Sequence, residues 1–249
     1  MRIAALYDIH GNLPALEAVL SEIETLDIDL IIIGGDVVPG PMPRETVDRL
    51  LNLNFPVQFI HGNGELAVLE ELAGKKASGV PEQHRPVLQW TAQQLEHKHD
   101  RLLSSWPPIV QMTTERSGEI LFCHATPRNA TEIFTRLTSE ERLVKTAFAN
   151  LTASLVVCGH THMQFHRRVG NIGVVNAGSV GMPFGEPGAY WLLIGDDVEL
   201  CRTTYDLEKA ADAIRNTNYP QADEFAARNI LHPPSEEEML KLLSQAELK

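Results

Sequence analysis

Short apolar runs alternate with amphipathic stretches through the first sixty residues of the chain. The apolar runs occupy residues 2–7, 30–33 and 57–60. Each has the length and composition of a buried β-strand. Between the first two runs, apolar residues recur at helical spacing, which predicts a helix over residues 13–26. Pro43 favours the first turn of a second helix. Strands that alternate with helices predict parallel strands with crossover helices, an α/β architecture.

Later in the chain, three pairs of apolar stretches are separated by turn-forming residues, which predicts three β-hairpins. The pairs are 109–113 with 120–123, 165–169 with 172–176, and 190–194 with 198–204. Residues 155–158 form a single apolar run and are interpreted as a further strand. Thr138-x-x-Glu141 has the form of a capping box and predicts a helix to about Ala149, while Ser235-x-x-Glu238 predicts a final amphipathic helix.

Two regions depart from this alternation. Residues from about 65 to 105 are predicted to form a helical insertion, either a cap over a site or a packing excursion without contact to substrate. Residues from about 207 to 249 are predicted to form a helical tail that packs on the core or mediates association. The sequence contains no internal repeat, and the chain is predicted to be a single domain over residues 1–249.

Composition supports a globular protein with a sizeable core. The chain has 249 residues, of which 43% are hydrophobic and 22% charged. No stretch approaches the ~20 apolar residues that a membrane helix needs, and the N-terminal strand reaches Asp8 too soon for a signal peptide. The three cysteines have no CxxC spacing. We therefore predict no membrane partner and a reducing compartment, the cytoplasm.

Polar residues of the kinds that bind metals follow the predicted strands. They are Asp8, His10, Asp36, Asn63, His124, His160 and His162. Taken singly, each has an ordinary interpretation as a turn or a hydrogen-bonded loop residue. Because ligands in α/β sheets bind outside the carboxyl ends of strands, five such segments together predict one shared crevice.

The donor types narrow the metal. Two carboxylates, four imidazoles and one amide oxygen, without a thiolate, favour Mn, Fe, Zn, Ni or Co over calcium. Seven donors exceed what one tetrahedral ion uses, so the sequence predicts two divalent ions that share a carboxylate. Asp36 is the natural bridge. The formal net charge of −12 disfavours nucleic acid as a partner, and bound ions would supply the positive charge that a small phosphoester requires.

These motifs resemble those of a known family. Asp8-Ile9-His10, Gly35-Asp36, Gly62-Asn63, His124 and Gly159-His160-Thr161-His162 resemble the signature of calcineurin-like metallophosphoesterases. The segments 8–16, 124–128 and 176–181 are similar to the small bacterial and archaeal phosphodiesterase branch, and the resemblance covers roughly residues 1–205. It implies two packed mixed β-sheets flanked by helices, a four-layer α/β/β/α sandwich.

The resemblance also implies a division of the donors. Asp8, His10 and His162 would hold the first ion, Asn63, His124 and His160 the second, and Asp36 both. The expected activity is hydrolysis of a phosphoester, preferably a diester, by a hydroxide that bridges two ions roughly 3.5–4 Å apart. The alternatives are a phosphomonoesterase or nucleotide polyphosphate hydrolase, and a non-catalytic scaffold of the same fold.

One position departs from the family pattern. Phosphatase-type members carry a histidine after the Gly-Asn pair, where this chain has Gly64. Two readings of His61 are open, a replacement acid or a structural residue at a strand end. Arg128 is likewise either a phosphate clamp or a surface residue. The predicted catalytic set therefore consists of Asp36, Asn63, His61 and Arg128.

Overall fold

The computed structural model describes residues 1–248 and contains two β-sheets with helices around them. The strands are β1 (Ile3–Leu6), β2 (Leu30–Ile33), β3 (Val57–Phe59), β4 (Ile109–Thr114), β5 (Gly118–Cys123), β6 (Leu155–Cys158), β7 (Phe165–Val169), β8 (Ile172–Asn176), β9 (Ala189–Ile194) and β10 (Val198–Thr203). The α-helices are α1 (Leu13–Ile23), α2 (Pro43–Leu51), α3 (Asn63–Leu72), α4 (Arg85–Gln94), α5 (His97–Ser105), α6 (Glu140–Lys145), α7 (Leu207–Arg215), α8 (Ala222–Phe225) and α9 (Glu236–Leu243). A π-helical segment, Ala226–Leu231, continues α8.

Both sheets are mixed and five-stranded. The first has the strand order β10-β9-β1-β2-β3, in which β1, β2 and β3 are parallel and β9 and β10 are antiparallel. The second has the order β4-β5-β6-β8-β7, with a parallel centre and antiparallel edges. The predicted α/β class with two mixed sheets flanked by helices is confirmed.

The first sheet has an apolar core on each of its two faces, because successive residues of a strand point to opposite faces. Leu30 and Ile32 on β2 pack with residues of the second sheet, including Phe122 and Val157. Their neighbours Ile31 and Ile33 pack with the helices on the outer face. The continuous apolar run of β2 therefore reflects burial on both sides.

The predicted insertion and tail pack against each other. Val87 and Trp90 on α4 belong to the same apolar cluster as Ile214, Tyr219 and Phe225 from the C-terminal part of the chain. The rings of Trp90 and Tyr219 meet edge to face, with centroids 5.4 Å apart. The tail therefore packs on the helical stretch that follows α3.

Two sequence predictions about helices are corrected. The capping residue of α6 is Ser139, whose hydroxyl accepts from Arg142 N, and α6 ends at Lys145. The hydroxyl of Thr138 instead accepts from Thr135 N at 2.9 Å and donates to Glu247 Oε1 at 2.7 Å. The Thr138 prediction was wrong because its hydroxyl oxygen already accepts from Thr135 N, while its proton is directed to the distant Glu247, a contact that local sequence does not reveal.

The helical insertion predicted over about 65–105 contains three α-helices, with a break between the last two. Helix α4 ends at Gln94, and Glu96 begins α5 with an extended backbone. The ring of His99 accepts from Glu96 N at 3.0 Å, which stabilises this start. Because of this break, two short helices form in place of one longer helix.

The fold bears on two expectations from composition. Within residues 1–248, no helix combines the length and apolarity needed to cross a bilayer. The three cysteines are unpaired: Cys123 and Cys158 are buried, and Cys201 is partly exposed.

The contact between the sheets generates a stability prediction. Ile32 is fully buried between them. Ile32→Ala should lower the free energy of unfolding by ~2–5 kcal/mol, because truncation removes apolar burial and leaves a cavity. Leu200→Ala, at a residue that is 46% exposed, is the matched control and should change stability by less than ~0.5 kcal/mol. Chemical denaturation measures both, and equal effects would contradict this account of the core.

Candidate metal centre

Loops at the carboxyl ends of strands from both sheets bring the predicted ligand residues together. Asp8, His10 and His162 form one group of donor atoms, which lie within 4.8 Å of one another. A second group with the same property comprises Asp36, His124 and His160. Asn63 adjoins this second group, since its Oδ1 lies 3.1 Å from His124 Nε2. All seven predicted ligand residues therefore border one space.

Five of these residues have a left-handed backbone. The φ angles are 53° at Asp8, 48° at His10, 51° at Asp36, 66° at His160 and 56° at His162. Such angles are uncommon outside glycine and cost ~1–3 kcal/mol each, so they persist only where surrounding structure holds them. Backbone hydrogen bonds between loops do so here: Asp8 N donates to Gly35 O at 3.1 Å, and His10 N donates to Asp36 O at 2.8 Å.

Hydrogen bonds to backbone carbonyls set the tautomers of three histidines. The Nδ1 atoms of His10, His124 and His162 lie next to carbonyl oxygens. The acceptors, in the same order, are Pro39 O at 3.3 Å, Gly34 O at 2.9 Å and Met182 O at 2.7 Å. A carbonyl only accepts, so each Nδ1 carries the proton and each Nε2 presents a lone pair to the shared space. This is the usual arrangement of histidines that bind metals.

The atoms in this space are mutually repulsive without a cation. His10 Nε2 and His162 Nε2 lie only 3.2 Å apart, each with its lone pair directed inward. Asp8 Oδ1 is buried without a hydrogen-bond partner among the described residues. It lies 3.3 Å from His162 Nε2 and 3.8 Å from His124 Nε2. Nitrogen and oxygen donors in this arrangement fit divalent metal ions.

Asp36 lies between the two groups. Its Oδ2 is 3.8 Å from His10 Nε2, and its Oδ1 is 3.5 Å from His124 Nε2. Gly64 N also donates to Asp36 Oδ1, at 2.6 Å, which orients the carboxylate. The position suits the predicted bridge, which stays a prediction.

Burial and neighbouring charges shift the pKa values of the ligand residues in different directions. Burial disfavours charge on His124 and His162, but the carboxylates of Asp8 and Asp36 outweigh it and raise both pKa values, so an ion would have to compete with protons there. Burial lowers the pKa of His160 to about 4, and the nearby His124 adds to the shift. Burial would raise the pKa of Asp8, but the charge of His162 and of the other imidazoles outweighs it and holds that pKa well below its usual range. At neutral pH, His160 is therefore neutral and Asp8 ionised.

Glu65 connects two of the ligand-bearing loops, a role that the sequence analysis missed. Its buried carboxylate accepts from Asp36 N at 2.8 Å, Val38 N at 3.0 Å and Gly62 N at 2.7 Å. Burial, and then the charge of Asp36, raise the pKa of Glu65 to about 7, while the three amide donors oppose this shift. A sequence signal existed: Glu65 is three residues after Gly62, the spacing of a capping box at the start of α3.

Ser179 supports the ligand groups from the opposite side. Its hydroxyl donates to Asp8 O at 2.7 Å and accepts from Met182 N at 2.8 Å. Met182 O in turn accepts from His162 Nδ1 at 2.7 Å. A continuous chain of hydrogen bonds therefore links Asp8 to His162 through the loop between β8 and β9.

The structure explains why glycine occupies position 64. A Cβ atom there would overlap the carbonyl oxygen of Val38 and lie 2.9 Å from Asp36 Oδ1. The backbone of the loop after β2 therefore occupies the space that a histidine side chain at position 64 would need. A histidine at this position requires the loop to move.

Two predicted catalytic residues do not line the larger cavity beside the ligand groups, although Arg128 lines a smaller one that His124 also borders. The guanidinium of Arg128 is paired with the Glu132 carboxylate, with Nε donating to Oε2 at 3.2 Å. His61 does not line the cavity, and its Nδ1 is buried without a partner among the described residues. The phosphate clamp and the replacement acid stay predictions.

The cavity itself has a volume of about 510 Å³. His10, Asp36, Asn63 and Gly64 border it on the side of the ligand groups. Residues 79–88, from the stretch that was predicted to be either a cap or a packing excursion, also line it. The geometry favours the cap.

Comparison with known proteins places the chain among phosphoesterases. The sequence profile of the calcineurin-like phosphoesterase superfamily domain matches residues 1–197. An uncharacterised protein of Methanocaldococcus jannaschii is 28% identical over 240 residues, which cover 88% of this chain and 94% of the relative. A metallophosphoesterase structure from Sphaerobacter thermophilus is 26% identical, with a TM-score of 0.71 over 91% of this chain and 98% of the other.

A second structure, a hypothetical protein from Pyrococcus horikoshii OT3, matches with a TM-score of 0.76 at 22% identity. The match covers 94% of this chain and 99% of the other. At that identity the match shows the fold alone. It extends the shared fold over nearly the full lengths of both chains.

The donor geometry predicts metal content. Protein purified without chelators should carry about two transition-type divalent ions per chain, measured by elemental mass spectrometry. Asp36→Asn should lower the content toward zero, because this carboxylate lies between the groups, whereas His162→Ala should remove about one ion. His166→Ala, an exposed histidine on β7, is the control and should leave the content unchanged. Equal losses from Asp36→Asn and His162→Ala would contradict the bridging position.

Glu65 generates a second prediction. Glu65→Gln should lower the free energy of unfolding by about 2–3 kcal/mol, because the new amide group faces backbone N–H donors in place of an acceptor. Metal content should fall as well, since the two loops lose their link. Glu45→Gln, an exposed substitution on α2, should change neither quantity. Wild-type stability together with wild-type metal content in Glu65→Gln would exclude this role.

Proposed function

The chain belongs to the calcineurin-like phosphoesterase superfamily, and from that premise we propose that it is a phosphodiesterase that uses two divalent metal ions. The family consists of metal-dependent phosphoester hydrolases, which supports the reaction class. The observation that carries the proposal is the pair of donor groups on either side of Asp36. Two ions bound there would supply an activated water and neutralise charge on the phosphoryl oxygens.

The chain's own residues would hold the substrate next to these groups. Asn63 is the first residue of α3, so the positive end of the helix dipole lies beside His124. A helix N-terminus of this kind attracts an anionic phosphate. The ligand groups are largely buried, but the adjoining cavity gives a small phosphoester a route to them.

Charge around the cavity favours a diester over a monoester. A diester carries one negative charge, whereas a monoester dianion carries two. Among the described residues that line the cavity, Arg228 is the one arginine or lysine, while Asp36 and Glu224 are acidic. Because the net charge of the chain is −12, little positive charge other than that of bound ions would stabilise a bound dianion.

We place this activity in a reducing compartment, the cytoplasm. The unpaired state of Cys123, Cys158 and Cys201 supports this placement. The proposed partner is a small phosphoester.

The absence of a histidine at position 64 leads to a prediction about the leaving group. A positioned proton donor contributes ~10²–10⁴-fold, and Gly64 cannot provide one. With Mn²⁺ added, kcat/KM should therefore rise steeply as the leaving group of a diester becomes more acidic, with aryl diesters well ahead of alkyl diesters. Gly64→His should not rescue poor leaving groups, because Val38 blocks the side chain.

The same assay separates the alternatives. A dependence on leaving-group pKa that is flat would refute the missing-donor argument. If the protein preferred monoesters or dinucleotide polyphosphates, the proposed substrate class would be wrong, but the protein would still be a phosphoester hydrolase. No turnover of any ester by metal-loaded protein would favour a scaffold.

A further inference from the structure

We propose that the cavity beside the ligand groups binds a planar heterocyclic ring carried by the phosphoester, and that the C-terminal segment 219–239 selects for it. This inference rests on the proposed function, because it names a part of the substrate. Its occupant has two properties: a flat apolar face and an edge that forms hydrogen bonds.

The size and position of the cavity suit a substrate group. A volume of about 510 Å³ lies within the range of ligand sites, and its floor includes His10 and Asn63. A phosphate next to the donor groups would therefore place its organic substituent in the cavity.

The walls are apolar and aromatic. Val80 and Val87, from the stretch between α3 and α5, line the cavity. Tyr219 and Phe225, from the C-terminal segment, also line it, and both are largely buried. Phe184 contributes a third ring and is stacked on His162, with centroids 5.3 Å apart and planes 24° apart. Several aromatic side chains around one space favour a flat ring over an alkyl chain.

Packing behind the walls makes the site preformed. The rings of Tyr219 and Phe225 meet edge to face at 6.0 Å, and both belong to the cluster that includes Val87. Pro234 O accepts from Gly185 N at 2.9 Å, which ties the C-terminal segment to the loop that supports His162. Binding therefore does not require the walls to be assembled first.

One edge of the cavity is polar. Gln221, Arg228 and Asn229 line it there, and they offer amide and guanidinium donors. Arg228 is exposed and forms no ion pair among the described residues, so its guanidinium is available to a ligand, although Glu224 also lines the cavity. A wholly apolar occupant would bury these groups without partners, whereas the edge of a heterocycle would satisfy them.

Arg228 and Asn229 lie in the π-helical segment 226–231, where His232 N donates to Ala227 O at 2.9 Å, five residues back. Single π-turns are rare and occur mainly at functional sites. The family profile ends at residue 197, so this wall lies outside the matched region. The polar edge of the ring site is therefore a feature of the C-terminal segment, whereas Val80, Val87 and Phe184 lie within the matched region.

Three diesters with one leaving group test the proposal: methyl, phenyl and thymidine 5′ esters of p-nitrophenyl phosphate, with Mn²⁺. The wild type should prefer the thymidine ester to the methyl ester by at least about tenfold in kcat/KM, with the phenyl ester between them. Arg228→Ala should bring the thymidine ester to the level of the phenyl ester. Ala67→Trp, which fills the cavity from α3, should bring both toward the methyl ester. Each readout is a ratio within one preparation, so losses of folded protein cancel.

Arg101→Ala is the matched control, because Arg101 is exposed on α5 and does not line the cavity. It should leave all ratios unchanged. Equal kcat/KM for the three esters, or wild-type ratios in both Arg228→Ala and Ala67→Trp, would overturn the ring site.

A binding measurement separates this proposal from the proposed function. Saturation-transfer NMR should detect contact of the thymidine base with wild-type protein and lose it in Ala67→Trp. Thymidine contact without turnover of any ester would retain the ring site and reject the phosphodiesterase. Turnover without base contact and without preference among the esters would retain the phosphodiesterase and reject the ring site.

Discussion

Lone pairs of imidazole nitrogens and carboxylate oxygens share one buried space, and positive charge is needed to make that arrangement stable. The Nε2 atoms of His10 and His162 face each other at 3.2 Å, beside the unpartnered Asp8 Oδ1. The Nδ1 proton of each ring is donated to a backbone carbonyl, so only positive charge added on the Nε2 side, a proton or a metal ion, relieves the repulsion. Divalent ions bound there would resolve it, and hydrogen bonds from the surrounding loops hold the donors in this geometry.

The two sheets contribute different donors to this space. Asp8, His10, Asp36 and Asn63 follow strands of the first sheet, and His124, His160 and His162 follow strands of the second. Distances between the donors therefore depend on the packing of the sheets against each other. Within the loops, left-handed residues turn the donors inward, and Glu65 and Ser179 fix the backbone that carries them. Sheet packing and loop hydrogen bonds together preorganise the site.

The helices around the sheets have a different task. The stretch between β3 and β4 and the C-terminal segment form a single apolar cluster, and that cluster walls the cavity beside the donors. Under the proposed function, reaction chemistry and substrate choice would be carried by different parts of the chain. The first would belong to the loops at strand ends, and the second to helices that meet only through tertiary packing.

The sequence by itself determined the α/β class, most strands and helices, and the seven residues that border the donor space. Hydrophobic periodicity is local, and ligand residues at strand ends carry their chemistry in their type and order. Tertiary structure alone decided the rest. Whether a side chain fits at Gly64 depends on Val38, whether Arg128 is available depends on Glu132, and the bonding of Thr138 depends on Glu247. The sequence likewise did not predict that the C-terminal segment packs close to the donors. In each case a contact made by the fold competes with or excludes what local sequence favours, and neither residue type nor spacing encodes which distant groups come into reach.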